Sequence, residues 1–520
     1  MAVELYDATL RDGMQGAGLS LTAEEKLRVV RKLDELGVGF IEAGFPASNP
    51  KEAELFGLLA GERLDRALVA AFGMTRRRDV PASEDAGLRL LAESFAPVCT
   101  IVGKTWALHL DKVVRVGRDE NLAMIADSIA FLAGAGKRVI YDAEHFFDGF
   151  RDDREYALAC ARAAVEGGAE RVVLCDTNGS SLPDQVTAGV RAAVEALGGE
   201  RVGIHCHDDA GCGVANTLAA VSAGATHVQG TMNGVGERTG NANLVTIIAN
   251  LQLKMGIEVL PDLGRLTETA HFVDEILNRT PDPRAPYVGK FAFAHKGGLH
   301  AAGVLADPAT FEHVDPSLVG NHGAVLVSEQ TGRHAIEEKA REAGVDVDAA
   351  RVLERVKALE HRGYQFEAAD ASFELLLCRE AGVCEELFTL ESWRVIVEQH
   401  GKNDVTTEAV IKIRVGDKRI VRHAEGNGPV NALDKALRKA IAEQHPHLAD
   451  IDLVNYKVRI LDETKGTDAV TRVLIDSEDH RTGEVWGTIG VHENVIAASW
   501  EALVDSLVYA ERPVPVRVRA

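Results

Sequence analysis

The sequence predicts an α/β protein: an N-terminal (β/α)8 TIM barrel, a largely helical linker, and a C-terminal α+β regulatory domain with an internal βββα repeat. Three observations predict it. Through the first half, eight short apolar or β-branched runs alternate with stretches of helical periodicity, the rhythm of parallel βα units. Prolines then cluster between 261 and 286, breaking regular structure. Beyond residue 393, a set of three strand-like runs and one helix occurs twice, a structural repeat of roughly 65 residues.

The eight runs lie at 4–9, 40–45, 67–72, 98–102, 138–143, 171–175, 201–206 and 227–231. Segment 22–36 illustrates the intervening helices, with Thr22 and Glu25 as a capping box and Gly37 as the stop. Eight such pairs in about 250 residues match the size of a barrel. A doubly wound open sheet is the alternative, but it usually has fewer strands and a phosphate fingerprint after the first. The expected domains are therefore a barrel over 1–265, helical linker subdomains over 266–390 and the C-terminal module over 391–520. In that module, runs at 393–399, 408–415 and 418–425 precede a helix at 429–444, and runs at 454–462, 469–477 and 484–491 precede one at 494–510. Without clustered catalytic residue types, the repeat reads as a regulatory or dimerisation unit.

The 520 residues are 46% hydrophobic, enough for two or three domains. A net charge of −22, spread without an acidic tail, argues against a nucleic-acid or anionic-membrane partner. Small anionic substrates would then need local cationic or metal sites. No apolar run of membrane-spanning length occurs and the N-terminus lacks signal-peptide regions, so a cytoplasmic protein is expected. Seven scattered cysteines without a CxxC pair speak against a disulfide framework and a thiolate zinc site, leaving nitrogen and oxygen as metal ligands.

A barrel builds its active site from the C-terminal strand ends. Strand one ends in Thr9-Leu10-Arg11-Asp12-Gly13-Met14-Gln15, strand two carries Glu42, strand four runs into Lys104-Thr105, and strand five carries Asp142 and Glu144-His145. Strand six ends in Asp176-Thr177-Asn178-Gly179, strand seven in His205-Cys206-His207, and strand eight leads into Asn233-Gly234-Val235-Gly236-Glu237-Arg238-Thr239-Gly240-Asn241. Alternation places His205 and His207 on one face and Cys206 on the other. An isolated His-x-His also fits two hydrogen-bonded polar residues at a strand terminus. With Asp12 and Asn241, however, the pair makes a mixed nitrogen and oxygen set for one divalent cation, Mg²⁺, Mn²⁺ or Zn²⁺. Asp12 could alternatively form a simple ion pair with Arg11. Beside a metal, Arg11 would stabilise negative charge developing on an oxygen. Glu144 reads as a base, a substrate anchor or a carboxylate bridging strands. Arg11, Glu42, Glu144 and Thr177 are the candidate substrate-binding residues. The glycine run fits a tight loop offering amides to an anionic ligand, which makes Asn233, Gly234, Gly236, Glu237 and Arg238 the candidate cofactor-binding residues.

Together, the segments at 9–15, 205–208 and 234–241 resemble the signature segments of the family of 2-isopropylmalate, homocitrate and citramalate synthases. The resemblance extends to Ala294-His295-Lys296-Gly297-Gly298-Leu299-His300 and to the C-terminal module, which is similar to the family's allosteric effector-binding domain. It implies a Claisen-type condensation of a 2-oxo acid with acetyl-CoA as co-substrate. It implies that Asp12, His205, His207 and Asn241 bind the metal, and that Glu144 and His300 are the candidate bases, His300 reaching in from the partner subunit of a homodimer. The segments at 143–150 and 315–321 look most like the citramalate-forming branch, which uses pyruvate. Isoleucine is then the expected effector. Relatives using 2-oxoisovalerate or 2-oxoglutarate, a metal-dependent lyase on the same barrel, and a non-catalytic ligand sensor are the alternatives. Two departures stand out: Phe311 where a tyrosine is expected, and Ala302 where some relatives carry an acidic partner for the histidine.

Overall fold

Eight parallel strands close into a barrel in the computed structural model, which describes residues 2–46, 49–328, 331–401 and 404–512. They are β1 (Glu4–Asp7), β2 (Phe40–Gly44), β3 (Leu68–Met74), β4 (Val98–Lys104), β5 (Arg138–Glu144), β6 (Arg171–Asp176), β7 (Val202–Cys206) and β8 (His227–Gly230). Each coincides with an expected run to within a few residues. β8 closes onto β1 in the register Glu4 to His227 and Asp7 to Gly230.

The strands read as continuous apolar runs because both of their faces are covered. Inside, Tyr6, Phe40, Ala70, Val98, Ile140 and Val173 pack into a plug beneath the strand ends. Outside, the helices cover the sheet with their apolar stripes. Helix Ala23–Leu36 begins with the expected Thr22–Glu25 capping box and ends at Gly37, burying Leu27, Val30 and Leu33 against the barrel.

The chain forms two compact units, and neither boundary falls at 265. The first comprises Met1–Phe293 and Val314–His322. It extends past the strands because helix Leu266–Ile276 buries Leu266, Ala270 and Val273 and lies against helix Ala23–Leu36. The second comprises Ala294–His313 and Gly323–Ala520, so the segment expected as a linker is divided between the two. Residues 513–520 of the expected C-terminal domain lie outside the described residues.

In the second unit, β9 (Ala294–His295) and β10 (Ala324–Val325) pair in parallel, and helices Gly298–Ala306, Arg333–Glu342, Ala349–His361 and Asp370–Glu380 accompany them. The repeat follows as expected. β11 (Thr389–His400), β12 (Asp404–Val415) and β13 (Lys418–Gly426) form one antiparallel sheet, followed by helix Pro429–Ile441. β14 (Ile451–Ile460), β15 (Thr471–Asp479) and β16 (Glu484–His492) form another, followed by helix Val495–Ala510. Among the described residues no helix is long and apolar enough to cross a membrane.

Candidate active site

The turn after β1 is tied down before it delivers Asp12. The Thr9 hydroxyl donates to Asp7 Oδ2 at 2.8 Å and accepts from the Met232 amide at 2.8 Å, latching the end of β1 to that of β8. Burial pushes the Asp7 carboxyl up to about 7, against the hydrogen bonds from Thr9. Beyond this latch, Asp12 Oδ2 lies 3.1 Å from His205 Nε2 and 3.6 Å from His207 Nε2. All three side chains are buried, and their ligand atoms lie within 4.8 Å of one another. Cys206 faces the opposite way, toward Thr217 of helix Gly213–Ser222.

Arg11 is held on three sides. Its Nε donates to Glu42 Oε2 at 2.8 Å, its guanidinium lies 3.9 Å over the Phe72 ring, and its Nη1 sits 3.6 Å from Asp12 Oδ1. Glu42 also accepts from the Tyr6 hydroxyl at 2.9 Å. Burial favours a neutral Asp12, yet the charge of Arg11 and the two histidines hold its carboxyl far below the usual range. His205 is also desolvated, but its bond to Asp12 lifts it above an ordinary imidazole. Burial and the adjoining His205 pull His207 down to about 4.

The remaining atoms suit a divalent cation. Gln229 Nε2 donates to Asp142 Oδ1 at 3.1 Å, so its Oε1 is the atom that faces His205 Nδ1 at 3.0 Å and takes that proton. Nδ1 thus keeps its proton, and a cation that displaced the proton His205 Nε2 shares with Asp12 would meet the Nε2 lone pair, as a metal-ligating imidazole requires. Asn241 pairs with His207 in an isolated antiparallel bridge. Its Nδ2 donates to the Val235 carbonyl at 3.2 Å, while Oδ1 is buried with no hydrogen-bond partner among the described residues. A buried, unpaired carbonyl oxygen is costly unless something positive meets it. Asp12, His205, His207 and Asn241 thus fit the expected ligand set.

The glycine run builds the hairpin that returns Asn241 to His207. A Cβ on Gly240 would sit 2.0 Å from the Gly234 carbonyl oxygen, and one on Gly236 would sit 2.3 Å from Asn241 Nδ2. Its donors are partly spent on this closure: the Gly234 amide donates to Thr231 and the Asn233 side chain to Ala270. Asn233, Gly234 and Gly236 face a separate cavity of about 650 Å³, whereas Glu237 lines the cavity over the metal set and Arg238 lines both.

That cavity, about 310 Å³, joins Arg11, Asp12, Glu144 and Thr177 to the apolar Phe72, Met74 and Val102. Glu144 is ion-paired with Lys104, its neighbour across the β4–β5 register. The Thr177 hydroxyl accepts from the His145 amide at 2.9 Å. Arg238 grips Asp209 through two bonds of 2.7 and 2.8 Å and donates to the Thr177 carbonyl at 2.9 Å. His300 belongs to the second unit, exposed on helix Gly298–Ala306 with its ring 4.2 Å from that of Phe311 and nearly parallel to it. Sequence reading gave no role to Lys104, Asp142 or Gln229. The available signal was alternation on β8, which places Gln229 on the same face as the strand's inward positions.

The metal-ready barrel followed by a doubled βββα module defines a class of modular TIM-barrel proteins. Residues 2–273 match the HMGL-like family, 287–364 the homocitrate synthase post-HMGL domain-like family and 367–510 the LeuA allosteric (dimerisation) domain. Among curated proteins, an (R)-citramalate synthase of Streptomyces coelicolor is 51% identical over 97% of this chain and 96% of its own length. Those of Aquifex aeolicus and Geobacter sulfurreducens are each 45% identical over 98% of this chain and 97% of theirs. The chain belongs to the citramalate synthase family, within the superfamily of 2-isopropylmalate and homocitrate synthases.

Proposed function

We propose that the chain is an acyltransferase that condenses acetyl-CoA with pyruvate and, with water, releases (R)-citramalate and CoA for isoleucine biosynthesis. The observation that carries the reading is the buried Asp12–His205–His207 set beside the clamped Arg11, in a chain aligned end to end with (R)-citramalate synthases. A divalent cation held by Asp12, His205, His207 and Asn241 would polarise the ketone of the 2-oxo acid, and Mg²⁺, Mn²⁺ and Zn²⁺ all accept such ligands.

The chain's own residues supply the rest. Arg11, immobilised by Glu42 and Phe72, donates to the ketone oxygen as it gains negative charge. Glu144, ion-paired with Lys104, takes a proton from the acetyl methyl group, and His300 is the second base. Phe311 has no hydroxyl, so its part is to stack on His300 and hold the ring. Thr177 orients the substrate, while Glu237 and Arg238 face the co-substrate from the loop; Asn233, Gly234 and Gly236 shape that loop. The cavity's volume, about 310 Å³, and its Phe72, Met74 and Val102 wall suit a small 2-oxo acid.

Residues from 391 onward form the effector-binding and dimerisation module of a homodimer, with isoleucine as the inhibitor. All seven cysteines are unpaired, which suits the reducing cytoplasm. The test is thiol release from acetyl-CoA across a panel of 2-oxo acids with and without isoleucine. Release with pyruvate well above that with 2-oxoisovalerate or 2-oxoglutarate is expected, and the reverse order would overturn the substrate assignment.

A further inference from the structure

Besides the Asp12 set, one other group among the described residues brings three metal-ligating atoms within 4.8 Å of one another: His109, Glu144 and His145. All three belong to the barrel unit, and Glu144 also lines the catalytic cavity. Adjacent strand residues normally point to opposite faces, so Glu144 and His145 at the end of β5 would not be expected to meet one ion. They come together because His145 adopts a left-handed backbone, φ 55° and ψ 35°, an uncommon and costly state for a residue with a side chain. Its ring centroid lies 4.2 Å from that of His109.

The two imidazoles are held in different ways. His145 Nδ1 donates to Asp148 Oδ2 at 3.1 Å, and Asp148 accepts in turn from Asn178 Nδ2 at 2.9 Å and from Arg151. His145 Nε2 then carries the lone pair, in the carboxylate–histidine arrangement that orients metal ligands. His109 follows β4 on the short turn Ala107–His109 and stacks on Trp106, the ring planes 22° apart. Its Nδ1 is buried with no hydrogen-bond partner among the described residues. A buried polar nitrogen in that state is costly unless a cation or a donor reaches it. Burial first, then the neighbouring His145 and Lys104, hold the His109 ring below an ordinary imidazole, which favours the neutral, ligating form. Lys104 occupies Glu144 Oε2 and leaves Oε1 for an ion. Two imidazole nitrogens and a carboxylate oxygen suit Zn²⁺, whereas Mg²⁺ prefers an oxygen shell with retained water.

We propose that His109, Glu144 and His145 form a second divalent-cation site, selective for Zn²⁺ over Mg²⁺, whose occupation withdraws Glu144 from the condensation. The site stands on the contacts above; its inhibitory effect rests on the condensation reading, in which Glu144 takes the proton. Mg²⁺ at the Asp12 set then supports turnover, and Zn²⁺ at the second set stops it.

Zn²⁺ binding to the full-length protein is counted by competition with a chromophoric chelator, with circular dichroism as the check on folding. His109→Phe keeps a ring against Trp106 and removes both nitrogens. Wild type is expected to bind two Zn²⁺ per chain, one for each set, and His109→Phe one. Asp148→Asn keeps all three ligands and should weaken the second site by about 10- to 100-fold, so the proposal stays testable if one variant misfolds. The Mg²⁺-supported rate of His109→Phe should lie within about twofold of wild type, while its inhibition by added Zn²⁺ should need at least about tenfold more metal. A single Zn²⁺ in wild type, or the same count and affinity in wild type and both variants, would overturn the site. If no 2-oxo acid supported thiol release, the condensation reading would fail, while two Zn²⁺ in wild type against one in His109→Phe would still support the second site.

Discussion

Gln229 Oε1 lies 3.0 Å from His205 Nδ1, across the β7–β8 register that pairs the two residues. Because Gln229 is turned by its own bond to Asp142, one imidazole tautomer is selected and the ring is aimed at Asp12. Outer partners of this kind typically contribute 10- to 100-fold to metal affinity. Gln229→Leu should therefore weaken divalent-metal binding by about 10- to 100-fold, measured by competition with a chromophoric chelator. Circular dichroism should stay at the wild-type spectrum. Unchanged affinity in a folded variant would mean that Asp12 alone orients the ring.

His207 is the softer of the two imidazoles, pulled down to about 4 by burial and by His205. It is thus neutral near pH 7 and able to donate a lone pair without first losing a proton. His207→Ala should abolish metal-dependent thiol release while leaving a folded barrel, since the truncation vacates a polar pocket and not an apolar core. Activity equal to wild type would exclude His207 as a ligand.

Arg11 is positioned by two contacts of different kind, a carboxylate at 2.8 Å and an aromatic face at 3.9 Å. A lysine has no planar group to satisfy both at once. Arg11→Lys should lower kcat by about 10²- to 10³-fold with a smaller change in the KM for pyruvate. Glu42→Gln should do part of the same damage, because it loosens the guanidinium without removing it. A kcat within twofold of wild type for Arg11→Lys would assign charge stabilisation to other groups.

What could be read from the sequence follows from how local each signal is. The strands were legible because parallel strands buried on both faces are unbroken apolar runs, and helix Ala23–Leu36 because its capping box is four residues long. Asp12, His205 and His207 were legible because barrel topology brings strand ends together whatever the loop lengths. Gln229 and Lys104 were not, since their roles arise from register: Gln229 meets His205 across β7–β8 and Lys104 meets Glu144 across β4–β5. That the first compact unit runs on past 265 has a similar origin. Nothing in helix Leu266–Ile276 announces that its apolar stripe is met by helix Ala23–Leu36 and not by a neighbour in the chain.

The closure of the barrel on the side away from the active site carries its own pH dependence. Arg171 makes two bonds to Glu4, of 3.0 and 2.9 Å, and His227 Nδ1 lies 3.2 Å from the same carboxylate, so one side chain joins β1, β6 and β8. Burial alone would raise the Glu4 carboxyl, but the hydrogen bonds from His227 and Arg171, with their charges, bring it from its usual 4.5 to about 2. A carboxylate with a lowered folded pKa stabilises the protein fully above its unfolded value, and that contribution disappears as pH falls toward the folded one. Glu4→Gln should therefore cost about 1–2 kcal/mol at pH 7, a figure reduced for the partial exposure of the cluster. The deficit should shrink as pH falls below 4.5 and be nearly gone as it approaches 2. Thermal melts of both proteins at pH 7, 5, 4 and 3 would read it. A deficit as large at pH 3 as at pH 7 would locate the cost in packing rather than in the charge of Glu4.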